Sequence, residues 1–343
     1  MKKVLSIVLA LMLVLVLGSC GGKTEEETTA AEAGETSSDT QPAYINPLNG
    51  SPIDAEYEGR VVGVSINNVS PAMPFKGINS ADVFFEMYIN DYCTRGLALF
   101  SDIRKVEHIG SIRSTRYNFT DIAQGYNAVM CFSGGSGAVI SDMQQSGIDY
   151  LFVDVPVGYR DQGRSSAGYA YEHTLFANGG SLYNAIDAGN MALTAPGEEY
   201  GFRFTAEGTP LNGVAANEIE LIFTLYGREK ASSFRYDAGL DKYVFAQYGR
   251  EMADDAAQQL VSFKNVIIMF APTENQDVYH VADLIGTGDG YFACGGKMVA
   301  VKWSRADDND VFHFTLEDGS QLYQEAGNTY IAIAPTGSPV TAK

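Results

Sequence analysis

The sequence predicts an α+β protein, with an N-terminal α/β domain on a mixed sheet and a C-terminal domain of mostly antiparallel strands. Apolar strand-like runs alternate with helical patterns up to residue 188, whereas period-2 alternation and Asx-Gly turns dominate after residue 213. A stretch rich in Gly, Pro and Glu separates the two patterns. We therefore predict domains at residues 44–200 and 201–343.

The N-terminal domain is predicted from a succession of strands and helices. The β–α–β order from Asn127 to Val155 favours an α/β layer. The predicted strands cover residues 60–66, 81–89, 93–100, 127–132 and 150–155, and the predicted helices cover residues 115–124, 138–145 and 181–188.

The C-terminal domain is predicted from alternating apolar and polar residues, which are typical of strands with one buried face. Its clearest strands cover residues 219–226, 265–271 and 297–303. Turns are predicted at Asp237–Asp241 and at Asp318-Gly319, so neighbouring strands are expected to pair antiparallel.

Residues 1–20 have the pattern of a lipoprotein signal peptide. Lys2 and Lys3 precede an apolar run from Val4 to Leu17, and "LGSC" ends at Cys20. The apolar run is shorter than the roughly 20 residues that a membrane-spanning helix needs. We expect Cys20 to carry the lipid and to anchor the chain to the cell membrane on its extracytoplasmic face; a plain secretory signal is the alternative.

Residues 21–43 predict a disordered acidic tether, because they lack aromatic and large aliphatic side chains. The formal net charge of −19 argues against nucleic acid as a partner, since that surface needs clustered Lys and Arg. The four histidines are scattered and no CxxC motif occurs, so neither a metal site nor a cofactor is predicted.

Lipidation of Cys20 would leave Cys93, Cys131 and Cys294. Cys93 and Cys131 lie in strand-like stretches, where they would be either buried small apolar residues or a disulfide pair. The sequence leaves both alternatives open.

Two arginines in "SIRSTR" suggest an anion site. Arg113 and Arg116 would lie at the start of a helix beginning near Ser114, where cations are mildly unfavourable. Either local acids such as Asp121 or Glu86 pair with them, or a ligand carboxylate or phosphate does.

A glycine-rich turn follows the strand that ends at Phe132. In "FSGGSG", Gly134 and Gly135 allow backbone N–H groups to converge at a helix start, which favours anions. A simple strand-to-helix turn capped by Ser136 explains the same residues, and Ser136 as a nucleophile would need a base.

His173 lies in a polar loop with Glu172. It is a candidate general acid or base, or a residue that fixes the loop through hydrogen bonds.

These residues occur in an order that resembles the YerB-like bacterial lipoprotein family, an uncharacterised two-domain family. The resemblance covers nearly all of Ile45 to Pro335, and its motifs include "INPLNG", "IGSIRSTR" and "FSGGSGA". It implies an anchored extracytoplasmic protein with two domains and supplies no reaction.

The preferred hypothesis is a binding or scaffold protein rather than an enzyme. Its ligand would be an anionic small molecule or a cell-wall fragment, and its other partners would be the membrane, through the anchor, and an envelope protein. The alternative is a cell-envelope hydrolase or transferase that uses Ser136, His173 and Glu86. The expected ligand-binding residues form a polar cleft in the N-terminal domain: Glu86, Arg95, Arg113, Ser114, Arg116, Gly134, Gly135 and Ser136.

Overall fold

A computed structural model describes residues 44–90, 93–205, 207–276 and 278–343. The predicted signal peptide, the lipidated Cys20 and the predicted tether lie outside these residues. Within the described ranges, no helix combines the length and the apolar character needed to cross a membrane.

The N-terminal half contains ten strands and four α-helices in its described residues. The strands are β1 (Tyr44–Ile45), β2 (Pro52–Ile53), β3 (Val62–Asn68), β4 (Val83–Asn90), β5 (Cys93–Phe100), β6 (Ile109–Gly110), β7 (Val129–Phe132), β8 (Tyr150–Phe152), β9 (Gly158–Arg160) and β10 (Leu175–Ala177). The helices are α1 (Tyr117–Gly125), α2 (Gly137–Ser146), α3 (Gln162–Ser166) and α4 (Gly179–Ala188).

The C-terminal half consists of strands joined by turns. They are β11 (Phe204–Thr205), β12 (Val214–Ala215), β13 (Glu218–Leu225), β14 (Arg228–Asp237), β15 (Lys242–Gln247), β16 (Arg250–Glu251), β17 (Ala253–Asp254), β18 (Gln259–Leu260), β19 (Ser262–Phe263), β20 (Asn265–Ala271), β21 (Thr273–Gln276), β22 (Tyr279–Ala282), β23 (Gly286–Cys294), β24 (Lys297–Arg305), β25 (His313–Leu316), β26 (Gln324–Glu325), β27 (Thr329–Pro335) and β28 (Val340–Ala342).

One large mixed sheet takes strands from both halves of the chain. Its order is β12-β24-β23-β20-β27-β4-β5-β3-β7-β8, with β25 beside β24. The halves join where β27 runs parallel to both β20 and β4. Strands β3, β7 and β8 are also parallel, so their carboxyl ends meet at one edge of the sheet.

Both faces of this sheet are covered, which explains its continuous apolar runs. On one face, Phe84 and Ile66 pack with α4 and with an antiparallel sheet of order β16-β15-β14-β13-β28. On the other face, Phe85 and Leu97 pack with α1, α2 and the buried Trp303.

The mixed and antiparallel sheets confirm the predicted fold class. Strands β5 and β20 have the predicted bounds, and α1 and α2 differ from the predicted helices by one or two residues at each end. The boundary near residue 200 stays a prediction, since strands from both sides of it share one sheet. Cys93, Cys131 and Cys294 are free thiols in the structure.

Candidate functional site

Three arginines meet near the edge of the sheet where β3 and β7 end. Arg95 belongs to β5 and pairs in register with Asn67 of β3, while Arg113 and Arg116 come from the segment that enters α1. Arg95 Nη1 and Ser65 Oγ both donate to the carbonyl of Ser114, at 3.1 and 3.0 Å. These bonds hold the α1 entry segment against the sheet. We call Arg95, Arg113 and Arg116 the arginine cluster.

The arginine cluster is a concentration of positive charge without an acidic partner among the described residues. Arg95 is 4% exposed, and the Nε atoms of all three arginines are buried without a hydrogen-bond partner among the described residues. In the same part of the chain, no carboxylate lies within ion-pairing distance of the three guanidinium groups. Buried charges are normally paired, so this arrangement is energetically costly without a ligand.

The cost of burying these charges appears as lowered pKa values of the three arginines. Burial, followed by the charges of Arg116 and Arg113, lowers the pKa of Arg95 to about 9. Burial also lowers the pKa values of Arg113 and Arg116. An acid whose charge acts on Arg113 is Glu172, which is fully exposed to water and therefore well screened.

An aromatic side chain from the C-terminal half packs against the guanidinium group of Arg116. The Arg116 guanidinium lies 4.5 Å from the centroid of the Tyr279 ring, and its Nη1 donates to the carbonyl of Thr115 at 2.7 Å. The hairpin of β21 and β22 is fixed against α1 because Asn118 exchanges two hydrogen bonds of 2.8 Å with the backbone of Ala282.

The glycine-rich turn lies directly beside the arginine cluster. Ser133 N donates to the carbonyl of Arg113 and Thr115 N donates to that of Gly134, both at 3.0 Å. A Cβ atom on Gly134 would approach Ser114 Oγ to 2.8 Å, and φ there is +94°, so glycine permits this close contact. Gly135, the next residue of the turn, is exposed to solvent.

Ser136 serves as the N-cap of α2. Its hydroxyl oxygen accepts a hydrogen bond from Val139 N at 3.3 Å. This role matches the helix-cap interpretation of the turn, because a cap satisfies one of the otherwise unpaired N–H groups of the first turn.

His173 lies close to the arginine cluster and contacts the sheet. Its Nδ1 is 2.8 Å from Asn67 Nδ2, which is a donor, so neutral His173 carries its hydrogen on Nε2. Burial, aided by the charges of Arg113 and Arg164 and opposed by Glu172, lowers the pKa of His173. Among the hydrogen bonds of the described residues, none joins His173 to Ser136 or Glu86.

Glu86 is completely enclosed and belongs to a separate network. Burial would raise its pKa, but the Lys230 ammonium and hydrogen bonds from Thr94 and Tyr330 outweigh burial and hold the pKa below its ordinary value. The structure therefore places Glu86 in an internal ion pair rather than on an open cleft wall. The donors to its two oxygens are Asn68, Thr94, Lys230, Ser232 and Tyr330.

Sequence reasoning missed Lys230 and Tyr279. Lys230 has a readable signal, since it occupies an inward position of β14 in the same two-residue alternation as Ser232 and Phe234. A lysine at such a position needs a buried acidic partner. Tyr279 has no comparable signal, because its hairpin reaches α1 only through the tertiary fold.

A surface groove lies apart from the arginine cluster. A groove of about 670 Å³ lies beside β12 and β24, lined by Val214, Tyr291 and Met298. Among the described residues, no group of three or more His, Cys, Asp or Glu is arranged to hold a metal ion.

Comparison with known proteins decides the family. Residues 48–192 match the family model described as "Protein of unknown function (DUF3048) N-terminal domain", and residues 222–331 match the corresponding C-terminal domain. The chain belongs to the DUF3048 family. This DUF3048 chain is also 24% identical over 308 residues to "Putative lipoprotein YerB" of Bacillus subtilis (strain 168), covering 87% of this chain and 88% of the relative.

The same fold has been seen in a solved structure. The crystal structure of the YerB protein from Bacillus subtilis superposes with a TM-score of 0.74 at 20% identity, covering 87% of this DUF3048 chain and 99% of the other. The resemblance to the YerB-like family drawn from the motifs is confirmed. The relative is named a putative lipoprotein, which suggests a lipoprotein role for this chain as well.

Proposed function

We propose that this chain is a lipid-anchored protein of the extracytoplasmic membrane face that binds an anionic ligand through the arginine cluster. The observation that carries the proposal is Arg95, a residue 4% exposed that lies next to two further arginines and has no carboxylate partner among the described residues. An anion would compensate a charge that none of the described carboxylates compensates.

The surroundings support binding rather than a purely structural role. Arg305 is equally buried without a carboxylate partner among the described residues, but its guanidinium donates to three backbone carbonyls, whereas the one hydrogen bond of the Arg95 guanidinium within the described residues goes to the carbonyl of Ser114. Arg95 therefore keeps more donor capacity for a ligand. The cluster also lies at the carboxyl ends of β3 and β7, the edge at which α/β sheets commonly bind ligands. The strongly acidic chain thus has a local positive site that can attract an anion.

The lipid anchor rests on the signal pattern at Cys20 and on the name of the relative. Cys20→Ala should move the protein from the membrane fraction to the soluble fraction and should abolish labelling by radioactive palmitate. Degradation by protease added outside intact cells would support the extracytoplasmic side. A variant that stays membrane-bound and labelled would overturn anchoring through Cys20.

Anion binding can be measured by thermal unfolding of the full-length protein in neutral detergent. The single tryptophan, Trp303, is buried in the core, so its fluorescence reports unfolding. At constant ionic strength, a bound anion at a hundredfold excess over its dissociation constant should stabilise the protein by roughly 2.7 kcal/mol. Phosphate, citrate, succinate and acetate form a suitable first panel.

The double variant Arg113→Ala/Arg116→Ala should lose this response. The matched control is Arg104→Ala/Arg203→Ala, which removes two arginines whose side chains pair with Asp102 and Glu199. The control should keep the response. If the first double variant still responds, the arginine cluster is not the binding site.

A further inference from the structure

We infer that the ligand group of the arginine cluster is a phosphate monoester in its doubly charged form. The inference rests on the anion-binding function proposed above and specifies the ligand chemistry. It follows from the number of guanidinium groups, from the two helix starts beside them and from the charge that the surrounding residues leave uncompensated.

Three guanidinium groups on two separate chain segments match the three terminal oxygens of a tetrahedral anion. Arg95 projects from β5, while Arg113 and Arg116 come from the entry to α1. A carboxylate is planar and has two oxygens, so it does not offer a separate oxygen to each of three guanidinium groups. A phosphate monoester offers three terminal oxygens in a tetrahedral arrangement, so each of the three arginines can donate to it.

Two helix N-termini add positive partial charge on the same side. Helix α1 has Arg116 at its N-cap without a side-chain cap, and neither α1 nor α2 has an acidic residue in its first turn. Helix α3 contrasts with them, because its N-cap Asp161 supplies a carboxylate that accepts from Arg164 N. Arg95 Nη1 donates to the carbonyl of Ser114, two residues before the N-cap of α1, and the buried Nε of Arg95 has no partner among the described residues, which independently points to an anionic ligand.

The charge balance favours a dianion. Glu86 and Lys230 neutralise each other, burial and neighbouring arginines lower the pKa of His173 so that it is neutral near neutral pH, and Glu172 is exposed. The arginine cluster therefore keeps nearly three positive charges, of which that of Arg95 is almost completely buried and those of Arg113 and Arg116 are half-buried. A monoanion would leave most of this charge uncompensated, whereas a phosphate monoester carries nearly two negative charges above its second pKa of about 6.

Calorimetric titration of the full-length protein in neutral detergent can separate charge from shape. Phenyl phosphate is tetrahedral and doubly charged, phenyl sulfate is tetrahedral and singly charged, benzoate is planar and singly charged, and malonate carries two charges on two carboxylates. At a pH of about 8, phenyl phosphate should bind at least about tenfold more tightly than each of the others, a difference of about 1.4 kcal/mol.

The pH dependence provides an internal control. When the pH is lowered to about 5, phenyl phosphate becomes a monoanion and should lose its advantage over phenyl sulfate. His173, Glu172 and Cys93 are titratable groups near the site, and phenyl sulfate, which keeps its charge, reports any change on the protein side. Arg95→Lys keeps the charge but loses the planar fork, and should weaken phenyl phosphate and phenyl sulfate alike while phenyl phosphate stays the tighter ligand.

The outcomes distinguish this inference from the function on which it rests. If phenyl sulfate, benzoate or malonate binds as tightly as phenyl phosphate and Arg113→Ala/Arg116→Ala abolishes that binding, the phosphate inference fails and anion binding stands. If none of the four anions binds, both fail. Tight phenyl phosphate binding that survives the double variant also overturns the inference.

The phosphate monoester can belong to a soluble molecule or to a lipid headgroup. Displacement of phenyl phosphate by glycerol 3-phosphate and by phosphatidic acid in mixed micelles separates these sources, with the diester phosphatidylglycerol as the control. Stronger displacement by phosphatidic acid assigns a lipid, and stronger displacement by glycerol 3-phosphate assigns a soluble ligand. Displacement by phosphatidylglycerol alone would contradict the monoester.

Discussion

Lys230 of β14 donates a hydrogen bond to Glu86 of β4, and this ion pair joins the two sheets inside the protein. The Glu86 side chain has no exposed surface and that of Lys230 is 3% exposed. The pair is satisfied on both sides, because Ser232 Oγ donates to Glu86 Oε2 at 2.8 Å and Lys230 also contacts Ser232. Such a pair fixes how two sheets meet, since any other register would leave a buried charge alone.

Breaking this pair from one side should be strongly destabilising. Lys230→Met leaves Glu86 buried without its counter-ion, so we expect a loss of about 3–5 kcal/mol in the free energy of unfolding. The double variant Glu86→Gln/Lys230→Met removes both charges and should recover a large part of that loss. Urea unfolding followed by Trp303 fluorescence measures both values, and a double variant no more stable than Lys230→Met would contradict the account.

The same pair predicts a pH effect with a definite sign. Lys230 and the hydrogen-bond donors hold the pKa of Glu86 below its ordinary value. The stabilisation is therefore complete above a pH of about 4.3, the ordinary value for glutamate, and is lost as the pH falls through the lowered pKa. Unfolding measured between neutral and acidic pH should depend less on pH in Glu86→Gln.

Arg95→Met should make the ligand-free protein more stable. It removes a buried, uncompensated charge while keeping the length of the side chain, so we expect a gain of about 1–2 kcal/mol in the free energy of unfolding. The lost bond to the carbonyl of Ser114 is offset because Ser65 Oγ still donates to that oxygen. Anion-induced stabilisation should disappear in the same variant.

In Arg95→Met, the stability of the ligand-free protein should rise while the stabilisation by anions is lost. Opposite changes of this kind are typical of a residue that is kept for function. If the variant is less stable and still responds to anions, Arg95 has a structural role and the proposed function loses its main support. Arg203→Met is the control, since Arg203 is partly exposed and paired with Glu199.

Ser136→Ala should destabilise the protein without affecting anion binding. Val139 N would lose its acceptor at the start of α2, which costs about 1 kcal/mol for a typical N-cap. Ser136→Asp restores a capping oxygen and should recover the stability. Melting curves with and without anion test both statements; loss of the anion response with unchanged stability would instead make Ser136 a ligand contact.

Local patterns predicted the elements well where the chain is continuously apolar. Strands β5 and β20 were predicted with their observed bounds because both are buried on two faces and end at polar residues or turns. The position of β27 between β20 and β4 could not be predicted, since that parallel pairing depends on segments far apart in sequence.

The surroundings of the candidate site residues could also be predicted only in part from the sequence. Arg113 and Arg116 could be recognised because cations at a helix start are unfavourable without an anion, and the structure brings Arg95 to them. The burial of Glu86 in an ion pair could not be predicted, because its partner Lys230 lies in the other half of the chain. Pairing between distant side chains leaves only a weak trace in sequence, in this case one lysine in a buried strand position.

His173 gives a prediction about pH that also reports on the arginine cluster. Burial and the charges of Arg113 and Arg164 lower its pKa below the ordinary value of 6.5, against the opposing charge of Glu172. Below that value the unfolded chain gains a proton that the folded protein resists, so stability present above pH 6.5 is lost as the pH falls toward the lowered pKa. His173→Gln should therefore flatten the stability curve between about pH 7 and 5. An NMR titration of the His173 ring adds a second test: a bound anion compensates Arg113 and should raise the His173 pKa, whereas an unchanged value with anion bound would place the ligand away from Arg113.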